Sequence, residues 1–160
     1  MKSRLLYSLK ILETILILLL SFFLLAQLIP LPETYFKDFG QKTADREGRY
    51  FPASDPSYRP YYGSRLRVEG ASVNGSDIRI YLTSWKFFYG SGLPRDVLVK
   101  ADDGTVLTRS SGAATSSFWL ERGGLVFRGL PESAQSVDVI AESYGQSAAF
   151  HIPLAKEDSP

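Results

Sequence analysis

One apolar run constrains this chain more than any other stretch: ILETILILLLSFFLLAQLIPL, over Ile11–Leu31. Glu13 is its single charged residue. A helix rises about 1.5 Å per residue, so roughly 20 residues cross a hydrocarbon core about 30 Å thick. The run meets that length, and Pro30 and Pro32 end the helix because proline lacks a backbone donor. We therefore predict one transmembrane helix over residues 11–31.

The charges on either side of this run predict its direction. Residues 1–10 contain basic side chains and no acid: Lys2, Arg4 and Lys10. The charges that follow the run are mixed. Because cytoplasmic flanks are enriched in Lys and Arg, we expect residues 1–10 to be a cytoplasmic tail and the chain after about residue 32 to lie outside. This describes a single-pass plasma-membrane protein in contact with membrane lipid.

A cleaved signal peptide is the alternative to a retained anchor. Its apolar core is usually about 7–15 residues long and ends at a small-x-small site. The core here is longer, and the nearest candidate site, Leu24-Leu25-Ala26, has leucine where a small residue belongs. The sequence therefore favours a signal anchor.

Glu13 is an ionisable residue inside the apolar run. Ionisable residues are rare in membrane-spanning segments and usually have a function there, so Glu13 is a candidate functional residue. It could reach water near the cytoplasmic interface, with Lys10 close by on the same helix, and we favour this interpretation. It could instead make an intramembrane polar contact with a partner helix. A pilin leader cut after Ser8 would place Glu13 at the fifth mature position, but the usual glycine before the cut is missing and Pro30 interrupts the helix.

Composition excludes several classes of function. The chain has 18 basic and 17 acidic residues, so it lacks the cationic excess of a nucleic-acid-binding protein. It has no cysteine, which excludes disulfides, a lipid-modified cysteine, a thiol nucleophile and cysteine metal sites. With one histidine, His151, a multi-histidine metal site is excluded as well. We predict no metal and no cofactor.

Residues 32–63 have a different character from the anchor. Prolines recur without a helical or strand period, which predicts an extended or irregular connector. Glu33–Gln41 could form a short amphipathic turn on the outer leaflet. Aromatic residues are interleaved, and the cluster from Tyr58 to Tyr62 could pack on the following domain or form a partner or glycan surface.

Over residues 64–155, apolar and polar residues alternate as they do in short strands. Residues 156–160 form a tail. Apolar residues recur at every second position in Ile78–Leu82, and turn signals occur at Asn74-Gly75, Asp103-Gly104 and Gly123-Gly124. The Ser/Gly/Ala stretch Ser110–Ser116 is predicted to be a loop. Seven or eight strands without intervening amphipathic helices predict an all-β antiparallel sandwich, with a barrel as the alternative. The predicted core is Leu66, Val68, Ile78, Ile80, Leu82, Leu98, Phe118, Leu120, Val126, Val137, Val139, Phe150 and Ile152, bordered by Trp85 and Trp119.

The same region carries a family resemblance. Its features are the run Val68–Leu82, the Asp103-Gly104 turn, the Phe127–Pro131 segment followed by alternating valines, and the closing His151–Leu154. Residues 64–155 resemble the immunoglobulin-like domain of unknown function found outside the membrane in Gram-positive single-span proteins, some of them anti-sigma-factor-like. The resemblance implies an extracytoplasmic immunoglobulin-like sandwich with no catalytic residues. Ten cytoplasmic residues cannot form a sigma-binding domain, so that role is not carried over.

No catalytic constellation is evident in the sequence. A Ser-His-Asp triad would have to use His151, which is typical here of an outward or half-buried strand residue. Asp102-Asp103-Gly104 resembles part of a calcium loop but lacks the further acidic ligands, and a hairpin turn explains it better. We predict that the protein is not an enzyme.

The candidate binding stretch is Trp85-Lys86-Phe87-Phe88-Tyr89. On a strand, Trp85, Phe87 and Tyr89 share one face and the other two residues share the opposite face. Both faces cannot easily be core, so at least one aromatic should be exposed, and exposed aromatics beside a cation are typical of protein or sugar contacts. Alternatively, the connector tyrosines, Tyr61 and Tyr62 among them, cover this stretch.

These features together predict a non-catalytic, single-span membrane protein. Its outer sandwich would contact another membrane or envelope protein, as an accessory subunit of a larger complex. The alternative is a cell-envelope module that binds glycan or peptide. A pilin-like subunit and an enzyme are less favoured.

Overall fold

The computed structural model describes residues 2–28, 37–86, 92–116, 120–143 and 145–154. The chain divides into two compact units, Met1–Phe36 and Lys37–Pro160. The described residues form two helices and nine strands: α1 (Lys2–Leu28), α2 (Phe39–Arg46), β1 (Tyr50–Pro52), β2 (Arg59–Tyr61), β3 (Ser64–Asn74), β4 (Asp77–Lys86), β5 (Val97–Ala101), β6 (Thr108–Ser116), β7 (Leu120–Arg128), β8 (Ser136–Ser143) and β9 (Gln146–Pro153).

The first unit contains helix α1. Its segment Tyr7–Leu25 is long and apolar enough to cross a membrane, and its side chains are exposed. Inside this segment the Thr14 hydroxyl donates to the carbonyl oxygen of Lys10 at 2.8 Å, so the helix itself satisfies that polar group. The predicted N-terminal apolar helix is therefore present, and the prolines predicted to end it lie outside the described residues.

The second unit contains two antiparallel sheets. The larger has the order β1-β3-β4-β7-β6, with β2 also paired to β3, and the smaller has the order β5-β8-β9. The β3–β4 hairpin turns at Gly75, whose φ of 61° suits glycine, as the Asn74-Gly75 signal predicts. In the described part of the chain the strands therefore lie in two sheets and do not form one closed barrel.

One hydrophobic core joins both sheets. The larger sheet contributes the inner faces of β3, β4 and β7, and the smaller contributes alternate residues of β5, β8 and β9. Its fully buried members include Leu66, Val68, Ile78, Ile80, Phe127, Val99, Val137, Val139 and Ile152. Burial of these side chains is the main favourable term that holds the two sheets together.

Two members of the predicted core are wrong by one position. Leu98 is 43% exposed because Val99, its neighbour on β5, faces the core. Val126 is only half-buried, since Leu125 and Phe127 carry the inward positions of β7. Leu120 is half-buried near a strand end, and Phe118 and Trp119 lie outside the described residues.

The predicted turn at Gly123-Gly124 is also wrong. Both glycines lie inside β7, which pairs with β4 and β6. A Cβ on Gly123 would come within 2.6 Å of Leu93 Cδ1 and 2.7 Å of the Ala113 carbonyl oxygen, so these glycines mark close packing in a strand. The adjoining stretch Ser110–Ser116, predicted to be a loop, belongs to β6 because pairing with β7 outweighs its low strand propensity.

The predicted irregular connector is partly ordered into the second unit. Asp38 caps α2, with its carboxylate accepting from the Gln41 amide at 2.6 Å. Strands β1 and β2 both pair with β3, and Gln41 is buried, with its side-chain amide donating to the Tyr50 hydroxyl at 2.9 Å. Residues from Lys37 onward are thus part of the compact unit.

The β1–β3 contact depends on Gly70. The register of β3 shifts between Val68 and Gly70, and a Cβ on Gly70 would overlap the carbonyl oxygen of Phe51 on β1. We predict that Gly70→Ala destabilises the full-length chain in detergent by about 1–3 kcal/mol in urea unfolding followed by tryptophan fluorescence.

Gly124→Ala is the matched control, because its Cβ would meet the flexible Arg79 side chain at 3.2 Å and would lie at an ordinary contact distance of 3.8 Å from Tyr81 Cε1. It should cost less than Gly70→Ala. Equal stability of the two variants would show that β1 does not pack against β3 as described.

Candidate functional site

Strand pairing brings the described members of the predicted binding set to one end of the larger sheet. Tyr61 of β2 pairs with Ser64 of β3, and Ser64 pairs with Lys86 of β4. Tyr62 follows Tyr61 in the β2–β3 turn, and Trp85 precedes Lys86. Phe87, Phe88 and Tyr89 lie outside the described residues.

Trp85 is an exposed aromatic, as predicted for at least one residue of this stretch. It is 46% exposed and lies opposite Arg65 of β3 on one side and Leu120 of β7 on the other. Arg65 is exposed as well, and as the cross-strand partner of Trp85 it lies on the same face of the sheet. An exposed aromatic with an adjacent arginine is the combination enriched in protein-binding hot spots.

Lys86 does not supply the cation beside Trp85. Its ammonium lies 3.7 Å from the Glu121 carboxylate and donates to the Ser116 hydroxyl at 3.4 Å. This pairing holds Lys86 within the sheet surface. The cation on the same face as Trp85 is Arg65, a residue with no motif in the sequence to mark it.

Tyr61 and Tyr62 have different surroundings although they are adjacent. Tyr61 is 3% exposed and belongs to the core, so of the two alternatives for the Tyr58–Tyr62 cluster this residue packs on its own domain. Tyr62 is 45% exposed and adopts a φ of 39°, followed by Gly63 at 73°. Two successive positive φ values match the tight hairpin turn that asparagine and glycine usually form.

The conformation of Tyr62 is unfavourable for a tyrosine. Among the described residues it is the one non-glycine position with positive φ. Its amide donates to the Gln146 side-chain oxygen at 2.8 Å, which fixes the turn against β9. Backbone strain of this kind is concentrated at functional sites, so the exposed ring of Tyr62 is a candidate contact.

An open cleft lies beside Tyr62. Its volume is about 870 Å³, and it is formed by the β2–β3 turn, the segment before β5 and the β8–β9 turn. Half of its lining residues are polar or charged: Arg95, Asp96, Glu142, Ser143, Gln146 and Ser147. A cleft of this size with one exposed aromatic could hold a short peptide or a few sugar rings.

A charged cluster occupies the outer face of the larger sheet next to the Arg65–Trp85 row. Glu69 accepts hydrogen bonds from the Thr83 hydroxyl, at 2.5 Å, and from Arg122. Arg67 lies 3.6 Å from the same carboxylate, and its guanidinium stands 5.3 Å from the ring centroid of Tyr58. These contacts fix the two arginines that neighbour the exposed corner.

The pKa of the Glu69 carboxyl is held below its usual value. Burial opposes ionisation, but hydrogen bonds from Thr83 and Arg122, together with the positive charges of Arg122 and Arg67, outweigh it. The carboxylate is therefore ionised at neutral pH and neutralises part of the arginine charge.

The remaining candidate chemistry has structural explanations. His151 is exposed, with Nδ1 2.8 Å from the Asp138 carboxylate across the β8–β9 pair, as expected for an outward strand residue. Asp102 and Asp103 accept backbone N–H groups of Gln135 and Thr105 at 3.1 and 2.8 Å. Within the described residues, no group of three or more His, Asp or Glu side chains could hold a metal ion.

Comparison with known proteins identifies no relative. No protein-family model, no curated protein and no solved structure matches this chain. The functional interpretation therefore rests on the geometry around Trp85, Tyr62 and the cleft.

The charged cluster makes stability depend on pH. Because the Glu69 pKa is lower in the folded chain, its contribution is complete above the unfolded value of roughly 4.3 and is lost as pH falls through the folded value. We predict that Glu69→Gln lowers the free energy of unfolding by roughly 2–4 kcal/mol at pH 7, since it leaves buried arginine charge uncompensated.

The difference between the wild type and Glu69→Gln should shrink as pH is lowered below about 4 in urea titrations of the full-length chain. Asp138→Asn, which alters an exposed carboxylate, serves as control and should change stability little. A Glu69→Gln difference that stays constant between pH 7 and pH 3 would contradict the assignment.

Proposed function

We propose that this protein is a single-span, membrane-anchored, non-catalytic binding protein. Its β unit contacts another membrane or envelope protein through the end of the larger sheet that carries Trp85, Arg65 and Tyr62. The observation that carries the proposal is the exposed indole of Trp85, opposite the exposed Arg65.

The proposal includes an orientation for the chain. The basic residues of the first ten positions support a cytoplasmic N-terminus, and the apolar helix over Tyr7–Leu25 supports a retained span. The β unit then lies outside the cell. Glu13 offers a polar contact to a partner helix in the same membrane.

The finer architecture belongs to the proposal as well. Two antiparallel sheets around one core are compatible with an immunoglobulin-like sandwich, the type that the Val68–Leu82 and Phe127–Pro131 motifs resemble. Sandwiches of that type present loops at their ends for recognition. The Trp85 corner and the β2–β3 turn lie at one such end.

The proposal is tested by recovery of a partner from native membranes. The full-length tagged chain, solubilised in mild detergent, should co-purify with a partner in constant ratio. We predict that Trp85→Ala weakens the interaction by roughly 30-fold, the effect of losing about 2 kcal/mol at an aromatic hot spot.

Leu98→Ala is the matched control, because Leu98 is similarly exposed but lies on β5 of the smaller sheet. It should leave co-purification unchanged. Recovery of the chain alone, or an unchanged yield of partner with Trp85→Ala, would contradict the proposal.

A second candidate function is recognition of envelope glycan or peptide in the cleft. The observation that favours it is the strained, exposed Tyr62, which lines the same cleft as polar groups such as Glu142, Gln146 and Arg95. An aromatic ring that provides a flat apolar surface beside hydrogen-bonding groups suits a sugar or an extended peptide.

Tyr62→Gly separates stability from binding. Glycine adopts a φ of 39° without strain. We therefore predict that the free energy of unfolding of this variant equals that of the wild type or exceeds it by up to about 1 kcal/mol. If the ring contacts ligand, retention of the full-length chain on purified cell wall should fall. Loss of stability together with unchanged retention would show that Tyr62 serves the fold alone.

A further inference from the structure

Three of the sheet edges are covered by the protein itself. Along β9, the amide of Ser54 donates to the carbonyl oxygen of His151 at 3.0 Å. Along β5, the amide of Leu107 donates to Val99 at 2.9 Å. Along β3, the short strands β1 and β2 pair with both halves of the strand.

Covered edges are what a soluble β domain needs, since an open edge is a row of main-chain donors and acceptors that accepts a further strand. The covering strands β1 and β2 also contain Pro52 and Pro60, which cannot donate to another chain.

Strand β6 is different. It ends the larger sheet, and within the described residues no strand lies on the side away from β7. All of its residues are exposed, and it contains no proline and a single charge, Arg109. The register shift between Arg109 and Ser111 interrupts the strand at one end, so the regular open edge runs from Ser111 to Thr115. None of the usual protections against strand addition occurs at its centre.

We propose that β6 pairs in antiparallel fashion with β6 of a second copy of this chain. A two-fold axis near Ala113 would place Ser111 opposite Thr115 and join the two larger sheets into one continuous sheet. Such a contact is isologous, with the same residues contributed by both copies, as in most homodimers. It goes beyond the proposed Trp85 contact and uses a different edge of the sheet.

The side chains of β6 favour this partner over an unrelated strand. The central residues are small and uncharged, from Ser110 to Thr115, so the same strand can lie against itself without clash. Arg109 lies away from the axis, so pairing does not set it opposite its own copy. Its guanidinium donates to the carbonyl oxygen of Arg95 in its own chain, so this charge is already engaged away from the paired centre.

Cysteine cross-linking in membranes tests the pairing, because the natural chain contains no cysteine. Single substitutions Ser111→Cys, Ala113→Cys and Thr115→Cys are made in the full-length chain and oxidised mildly. Disulfides need Cα atoms within about 7 Å, so a two-fold axis at Ala113 should give dimers there at least about tenfold faster than at the other two positions.

Ala149→Cys is the control, since Ala149 is exposed on β9, whose edge is covered. The proposal expects it to cross-link slowly. A flat profile over the four positions, dimers no faster at Ala113→Cys than at Ala149→Cys, or a disulfide from position 113 to another protein would overturn it.

A charge pair gives a second measurement that does not depend on oxidation. Ala113→Lys and Ala113→Glu each place like charges opposite each other, so co-purification of two differently tagged copies should fall a few-fold. Mixing the two variants should restore it. Equal recovery from the Lys–Lys, Glu–Glu and Lys–Glu combinations would overturn the pairing. Intact pairing without any partner at the Trp85 corner would reject only the proposed function.

Discussion

The structure of the β unit depends on burial of the inner faces of two sheets against each other. Leu66 and Ile80 from the larger sheet share one core with Val139 and Phe150 from the smaller. This burial commits alternate residues of each strand to the interior. The residues between them face outward, where their polar groups need hydrogen-bond partners or water. On the outer face of the larger sheet, the Glu69 carboxylate pairs with Arg67 and Arg122, and Trp85 remains exposed.

A single irregularity determines which residues meet at the candidate site. The register of β3 shifts at Glu69, which turns this carboxylate toward Arg122 and Thr83. The shift also sets Arg65 opposite Trp85. Counting back from the Asn74-Gly75 turn without a bulge would place Leu66 opposite Trp85. The cation beside the exposed indole therefore follows from a bulge, and bulges commonly re-aim side chains near functional sites.

Much of the fold could be predicted from local pattern. The apolar helix, the alternation in Ile78–Leu82 and the Asn74-Gly75 turn were recognisable because each depends on neighbouring residues. Errors arose where tertiary pairing overrides propensity, as in β6 and at Gly123. At the site, exposure of Trp85 could be inferred from an aromatic run too rich for one core, whereas burial of Tyr61 and strain at Tyr62 depend on distant contacts.

The central proposal is that the Trp85 corner of this chain contacts another membrane or envelope protein. The most direct measurement places a photo-cross-linking amino acid at position 85 of the full-length chain and irradiates intact membranes. The account predicts one discrete adduct of higher mass that a probe at position 98, on the smaller sheet, does not form. An absence of adduct at position 85, or the same products from both positions, would contradict it.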